Sequence, residues 1–573
     1  MTGSGEKRKK LLWLGAFAIL FIAQIGLLLF FGNKKGGFHE DEFYSYYSSN
    51  KTAGLFEPDR EWLYSKDYEK EFMVLQGERF RYGLVAQMQS WDVHPPVYYF
   101  LLHTMCSLFP GVFSKWLGIA VNIIAFAINF WLLAWISLML GAAVEDQGDG
   151  ENKEKYRWTD KRLFLAWSVC AIWGFGAAVI SSVMFIRMYQ WLTVFIMLCA
   201  VIHLRVVMQQ NSGKEKKIGI SFYIPLMVTV YLGFLTQYYY IIFHVFMGIA
   251  FCIWLLAGKR GEDWAMNREE VKRRLLHCLK YGIACGVALG AAILSYPASL
   301  SHIFRGYRGT EAVSEFADTS NTWERLRFFY GLLNEYVFGN CLEWILLFMV
   351  LLFLTLNYRR KRGEKVNWTI TFAPYLLLLF ACLGYFFTIS KTALLLGETS
   401  NRYQMPVYGL FILLLCTVCF VWGEKGAASL FKRRQVSWFL WPAIVTVMLL
   451  ILDASMLQQG KVFFLYEEEA AMLSYAEENT DTTVLVLYHE GSAPNVWRLA
   501  DELMKYDKIY LVSQGNQELL AEAEIRDAAM LVVYVADHPM MADSLEMVLQ
   551  SAEQAGSYEE VAKKGLWSVY EFH

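Results

Sequence analysis

The sequence predicts a polytopic α-helical membrane protein that ends in a small α/β domain. Three observations predict it. Of the 573 residues 56% are hydrophobic and 16% aromatic, with only 11 prolines, a composition far from that of a secreted disulfide-rich or disordered chain. Apolar stretches of membrane length recur up to about residue 457. Beyond it, short β-branched runs alternate with helical patterns, as in a mainly parallel α/β sheet. The net charge of −2 excludes little by itself, and no nucleic-acid partner is expected. All ten cysteines, Cys106 to Cys419, lie in or beside apolar segments, which does not support a disulfide framework.

The first apolar stretch, "LLWLGAFAILFIAQIGLLLFF", follows "EKRKK" without a small-residue cleavage site. It reads as a retained signal anchor with a cytoplasmic N-terminus. Further spans are expected near 115–143, 163–184, 190–208, 218–236, 238–257, 277–296, 341–357, 369–388, 405–422 and 437–455, about eleven in all. Five connectors rich in Lys and Arg ("KEKYRWTDKR", "GKEKK", "GKRGEDWAMNREEVKRR", "NYRRKRGEK" and "EKGAASLFKRRQ") belong in the cytoplasm by the positive-inside rule. That parity holds only if "PPVYYFLLHTMCSLFP" lies along or dips into the outer face without crossing. The expected division is therefore a transmembrane domain over 1–457, with a long first outer loop at 33–114, and an extracytoplasmic α/β domain over 458–573. In the tail, strands are expected at 482–488, 508–513, 529–536 and 566–572, with no Gly-rich phosphate fingerprint.

On this parity the unusual polar residues gather on one face. "HEDEFYS" begins just past the first span, where crowded carboxylates in a partly dry setting suit a general base; it also reads as a solvated charge cluster. In "DVHPPVYY" two prolines start a helix and fix His94, with Asp92 beside it, at the membrane surface, where imidazole can donate to a phosphate. Arg187 with Tyr189, and Arg402 with Tyr403, lie at outer ends of apolar helices. A cation there snorkels or meets an anion, and the tyrosines serve equally as interfacial anchors. Arg305 and Arg308 fall in the loop from Tyr296 to Asn340, a lid or an ordinary solvated loop. His203, His244 and His277 lack ligand spacing, and no metal set is assigned.

Taken in order, "HEDEFYS", "DVHPPVYYFLLH", "RMY" and "NRYQMP" on a polytopic chain resemble the GT-C membrane glycosyltransferases. The resemblance is to the branch with the protein O-mannosyltransferases and the lipid A aminoarabinose transferase, and it spans about residues 10 to 420. It implies a polyprenyl-phosphate sugar donor and inverting transfer at the non-cytoplasmic face of the plasma membrane to a glycan, lipid or protein acceptor. It also implies catalytic carboxylates at Asp41 and Glu42, with Asp41 the base, and donor-phosphate contacts at His94, Arg187, Arg402 and Tyr403. Asp92, Tyr189, Arg305 and Arg308 are further candidates for substrate contact. No cofactor is assigned; some relatives of this kind bind a divalent cation and others do not. The tail does not match the lumenal domain of the eukaryotic mannosyltransferases, so their protein acceptor is not inherited. Two rival readings use the same residues: a polyprenyl-linked glycan transporter or polymerase without a base, and a membrane scaffold or receptor.

Overall fold

The computed structural model describes residues 2–51, 62–145, 159–211, 218–257, 268–362, 372–431, 434–514, 523–553 and 555–573. The basic connectors lie wholly or partly outside these residues. Among the described residues, eight single helices are long and apolar enough to cross a membrane, from Lys7–Lys34 to Phe439–Gln458. They coincide with eight of the expected spans.

The other three expected spans differ in ways that matter for the site. The stretch at 163–184 is a helix pair, Asp160–Phe175 and Ala177–Met184, bent by 57°. Gly176 at the break has extended backbone, which ends the first hydrogen-bond ladder and starts the second. Helix Ile220–Thr236 has 17 residues, about 25 Å of rise and near the lower limit for a span. Helix Leu342–Lys361 follows helix Thr322–Phe338 across an 82° bend. The expected loop at 296–340 is itself largely helical. Helix Val97–Leu108 starts directly after Pro96 and has 12 residues, about 18 Å, too short to cross a hydrocarbon core of about 30 Å.

The tail strands appear where the alternation puts them, at Thr483–Tyr488 (β2), Lys508–Ser513 (β3), Leu531–Ala536 (β4) and Trp567–Phe572 (β6). Two more strands complete the sheet, Trp62–Tyr64 (β1) and Tyr558–Lys564 (β5), in the order β1-β3-β2-β4-β6-β5. Only β3-β2-β4 pair in parallel, and the three outer pairings are antiparallel. The sheet is therefore mixed rather than mainly parallel, because β6 returns beside β4 through a hairpin with β5. β1 comes from the first long loop, so that loop and the tail share one sheet.

Candidate functional site

The site is assembled where five chain segments meet: residues 35–51 after the first span, residues 92–99 at the start of helix Val97–Leu108, the turn 185–188 after the broken helix, the 3-10 segment Gly397–Tyr403, and residues 463–466 after the last span. Helix Glu40–Asn50 starts by reciprocal capping: the His39 ring accepts from the Asp41 amide (3.0 Å) while the Glu42 carboxylate accepts from the His39 amide (2.6 Å). Phe43, Tyr46 and Tyr47 are buried in an aromatic cluster with Phe38, Phe72, Phe113 and Trp497. That packing fixes the rotation of the helix, and with it the direction of each acidic side chain.

The two adjacent carboxylates consequently part company. Glu42 is fully buried and saturated, accepting from Lys35 Nζ (2.9 Å), the Ile186 amide (2.8 Å) and the His39 amide. Burial drives this pair toward neutrality, lowering Lys35 and raising Glu42, and each opposes the shift on the other through its charge. The Asp41 side chain keeps 31% of its exposure and turns toward Arg402. Of the expected catalytic pair, only Asp41 keeps access to solvent, and Glu42 is enclosed.

Arg187 is 4% exposed. It donates to the Asp41 carbonyl (3.1 Å), Ser45 Oγ (3.2 Å) and the Tyr99 hydroxyl (3.2 Å), and meets His94 Nε2 at 3.1 Å. His94 Nδ1 in turn pairs with Asp92 Oδ2 at 2.8 Å. Arg402, also 4% exposed, lies 3.8 Å from Asp41 Oδ2, donates to the Tyr403 hydroxyl (3.3 Å) and stacks over the rings of Phe185 and Tyr403. Tyr189 packs edge-on against Tyr403. Three guanidinium donors, Arg187 Nε, Arg402 Nε and Arg402 Nη1, are buried without a partner. Native interiors rarely leave such donors unused.

Burial would raise the Asp41 carboxyl, but Arg187, then His39, Arg402 and His94, hold it well below the usual carboxylate range. His39 moves the other way: burial outweighs the pull of Asp41 and lowers it to about 4, so the ring is neutral at physiological pH. Burial and the Asp41 charge raise Glu40, against Arg498 and Arg308.

Asp41, Asp92, His94, Arg187, Tyr189, Arg402 and Tyr403 thus form one cluster, with Glu42 behind it. Arg308 lies at the rim, exposed and paired with Glu311 at 3.6 Å. Arg305 is exposed beside Pro297, Leu300 and Phe304, in a separate surface hollow of about 370 Å³. Sequence reasoning missed Lys35, Ser45, Tyr99 and Phe185, which lie within or next to its motifs. His203 and His244 come together with Cys199, Tyr281 and Cys285. Among the described residues, however, no three His, Cys, Asp or Glu side chains are grouped to hold a metal ion. Arg187 and Arg402 stand beside Asp41, and their positive charge opposes a divalent cation at that carboxylate.

The tail grips the segment that carries Asp41. Arg498 donates to the Phe38 carbonyl (2.9 Å) and makes a two-pronged pair with Glu469. Lys564, 2% exposed at its side chain, reaches Asp501 (2.8 Å), Glu502 (2.7 Å) and Glu469 (3.2 Å). Lys35 Nζ donates to the Phe464 carbonyl at 2.6 Å, the Gly36 amide bonds the Leu465 carbonyl, and Trp497 packs on Tyr44 with ring centroids 4.2 Å apart. Gly36 is required by the closeness of this contact, since a Cβ there would lie 2.6 Å from the Tyr466 carbonyl oxygen. Arg498→Ala is expected to cost about 1.5–3 kcal/mol for its charged hydrogen bonds and to speed amide exchange across residues 35–50. Unchanged exchange there would contradict the grip.

No family model matches the chain, and a search of curated proteins finds no match. Among solved structures, the chain is similar to ArnT from Cupriavidus metallidurans bound to undecaprenyl phosphate, at 13% identity and a TM-score of 0.47 over 97% of this chain and 98% of that one. It is similar to the apo form of that protein at a TM-score of 0.43. A third similar structure is the archaeal oligosaccharyltransferase AglB from Archaeoglobus fulgidus in complex with an inhibitory peptide and a dolichol-phosphate. That match has 13% identity and a TM-score of 0.43, over 98% of this chain and 74% of that one. At this identity and these TM-scores neither likeness assigns a reaction or a residue role to the chain.

Proposed function

We propose that the chain is a GT-C-type membrane glycosyltransferase that moves a sugar from a polyprenyl-phosphate donor to an acceptor on the non-cytoplasmic face. One observation carries this reading: two buried arginines present three unpartnered donors beside Asp41, a carboxylate that keeps access to solvent. Buried, unfilled guanidinium donors suit a phosphate, which accepts from several N–H groups at once. A carboxylate next to that phosphate suits removal of a proton from the attacking group.

The proposed reaction is a single displacement. The acceptor hydroxyl or amine attacks the anomeric carbon as Asp41 takes its proton, and the bond from that carbon to the phosphate oxygen breaks. Arg187 and Arg402 then hold the departing lipid phosphate, with His94 beside it and kept in place by Asp92. Attack opposite the leaving group inverts the anomeric centre. A transporter would need the arginines but gives no purpose to Asp41 between them.

The arginines that hold Asp41 low in the free protein are the groups that would bind the donor. A phosphate both engages their charge and adds its own, so the carboxyl becomes more basic when the donor arrives. The acid limb of kcat/KM, which reports the free protein, should therefore lie below the usual carboxylate range. The acid limb of kcat, which reports the donor complex, should lie at higher pH. Coincident limbs would contradict this coupling.

The reading is tested by incubating membranes that contain the chain with labelled polyprenyl-phosphate sugars. Label should appear in an acceptor fraction, and Arg187→Gln and Arg402→Gln should each raise the KM for donor. Lipid-phosphate binding without transfer from any donor would favour the transporter reading instead.

A further inference from the structure

Span Val271–Ser295 leads into two short helices, Ala298–Phe304 and Tyr307–Ala317, which precede helix Thr322–Phe338. In Tyr307–Ala317 the charged residues Arg308, Glu311 and Glu315 share one face at i, i+3 and i+7, while Ala312, Val313 and Phe316 share the other. A surface helix of a soluble domain buries its apolar face and shows the charged one to water. This helix does the reverse. Glu315 Oε2 accepts from Arg325 Nη1 (3.0 Å) and Asn321 Nδ2 (2.8 Å), with Arg325 buried. Val313 and Phe316 are left 62% and 50% exposed.

The inverted orientation is held by the rest of the segment. Arg325 Nε donates to the Ser390 carbonyl (2.9 Å), and Lys391 Nζ donates to the Asp318 carbonyl (2.5 Å) and to Asn321 Oδ1 (2.5 Å). Ser390 and Lys391 belong to span Ala373–Thr392, at the end that leads into the Gly397–Tyr403 segment of the site. The helix cannot roll its apolar face inward without breaking these contacts.

Exposed apolar residues continue along the chain on both sides of this face. Leu300, Phe304 and Tyr307 precede it, and Trp323, 76% exposed, follows it. Before them, span Val271–Ser295 exposes Ile283, Val287 and Leu294, the surface that a spanning helix shows to lipid. Exposed apolar residues gathered in this way mark a surface that meets a membrane or a partner. Trp and Tyr favour the headgroup level. Arg305, in the hollow beside Leu300 and Phe304, adds a cation suited to a lipid phosphate.

We propose that residues 298–323 lie in the headgroup layer of the bilayer on the side of the site, with Val313, Phe316, Phe304 and Trp323 turned toward the acyl chains. Interfacial helices of this kind sink their apolar face about 5–10 Å into the boundary between headgroups and acyl chains. Lipid is the occupant of the face because the lipid-facing span Val271–Ser295 leads directly into it. The rim of the site at Arg308 then stands at headgroup level. The inference rests on this segment alone and does not depend on the reaction proposed above.

The full chain is placed in nanodiscs of phosphatidylcholine and phosphatidylglycerol, and Val313→Cys, Phe316→Cys and Ser314→Cys are each spin-labelled. All three positions are exposed, so the variants should fold, and the native chain, whose ten cysteines are buried or half-buried, serves as the labelling blank. At 313 and 316 collisions with oxygen should exceed those with a water-soluble nickel chelate severalfold, and at 314, on the charged side of the helix, the nickel chelate should dominate. Equal nickel access at all three positions overturns the proposal in favour of a solvated loop. Spin exchange at 316 that disappears on dilution with unlabelled chain also overturns it, since the face would then join two copies.

Discussion

Asp41→Asn is expected to slow sugar transfer by about 10²- to 10⁴-fold, the range that general-base catalysis contributes, while leaving the fold intact. The substitution is clean because the structural contacts of this residue run through its backbone. Its amide donates to His39 and its carbonyl accepts from Arg187. Only the side chain faces Arg402 and the open side of the site. Asparagine keeps the size and removes the proton acceptor. The check is the initial rate of transfer of labelled sugar in membranes holding equal amounts of each protein. Equal rates would end the role of Asp41 as base, whatever else the site does.

Glu42→Ala is expected to destabilise the protein by about 3–5 kcal/mol, the range for breaking a buried ion pair from one side. Both side chains of the Lys35–Glu42 pair are fully buried, so removing the carboxylate strands the ammonium and frees the Ile186 and His39 amides as well. Because Ile186 adjoins Arg187, the loss reaches the site through its backbone. Lys35→Met combined with Glu42→Met should recover much of the stability, since the buried charge is then gone altogether. Unfolding in denaturant, followed in detergent, measures both. A Glu42→Ala chain as stable as the native one would show that the pair does not hold the segment.

The contrast between Asp41 and Glu42 shows where the sequence is informative. The motifs "HEDEFYS", "DVHPP", "RMY" and "NRY" carry Asp41, His94, Arg187, Arg402 and Tyr403, which lie in one place because three of the motifs stand at ends of apolar helices that meet and "DVHPP" starts the short helix packed beside them. Which of two neighbouring carboxylates opens to the site is a matter of helix rotation. That rotation is set by Phe43, Tyr46, Tyr47 and a tail residue, Trp497, more than 400 positions away. Lys35 is visible in "NKKGG" but reads there as an ordinary flanking charge; its burial comes from residues 463–466 closing over it. The strands β2, β3, β4 and β6 are legible as β-branched runs. β1 has three residues and no periodicity to detect, and β5, "YEEVAKK", is too polar to read as a strand. The bend at Gly176 is hidden for a related reason: glycine inside an apolar run is common in membrane helices and does not by itself mark a break.

In the proposed reaction, binding of the donor phosphate by Arg187 and Arg402 competes with Asp41. This competition is tested most directly by the affinity of the purified chain for polyprenyl phosphate without a sugar, measured on the native protein, Asp41→Asn and Arg187→Gln. Removing the competing carboxylate should tighten binding by about tenfold, roughly 1.4 kcal/mol, and Arg187→Gln should weaken it by at least as much. Binding that is unchanged or weaker in Asp41→Asn, or unaffected by Arg187→Gln, would contradict the claim.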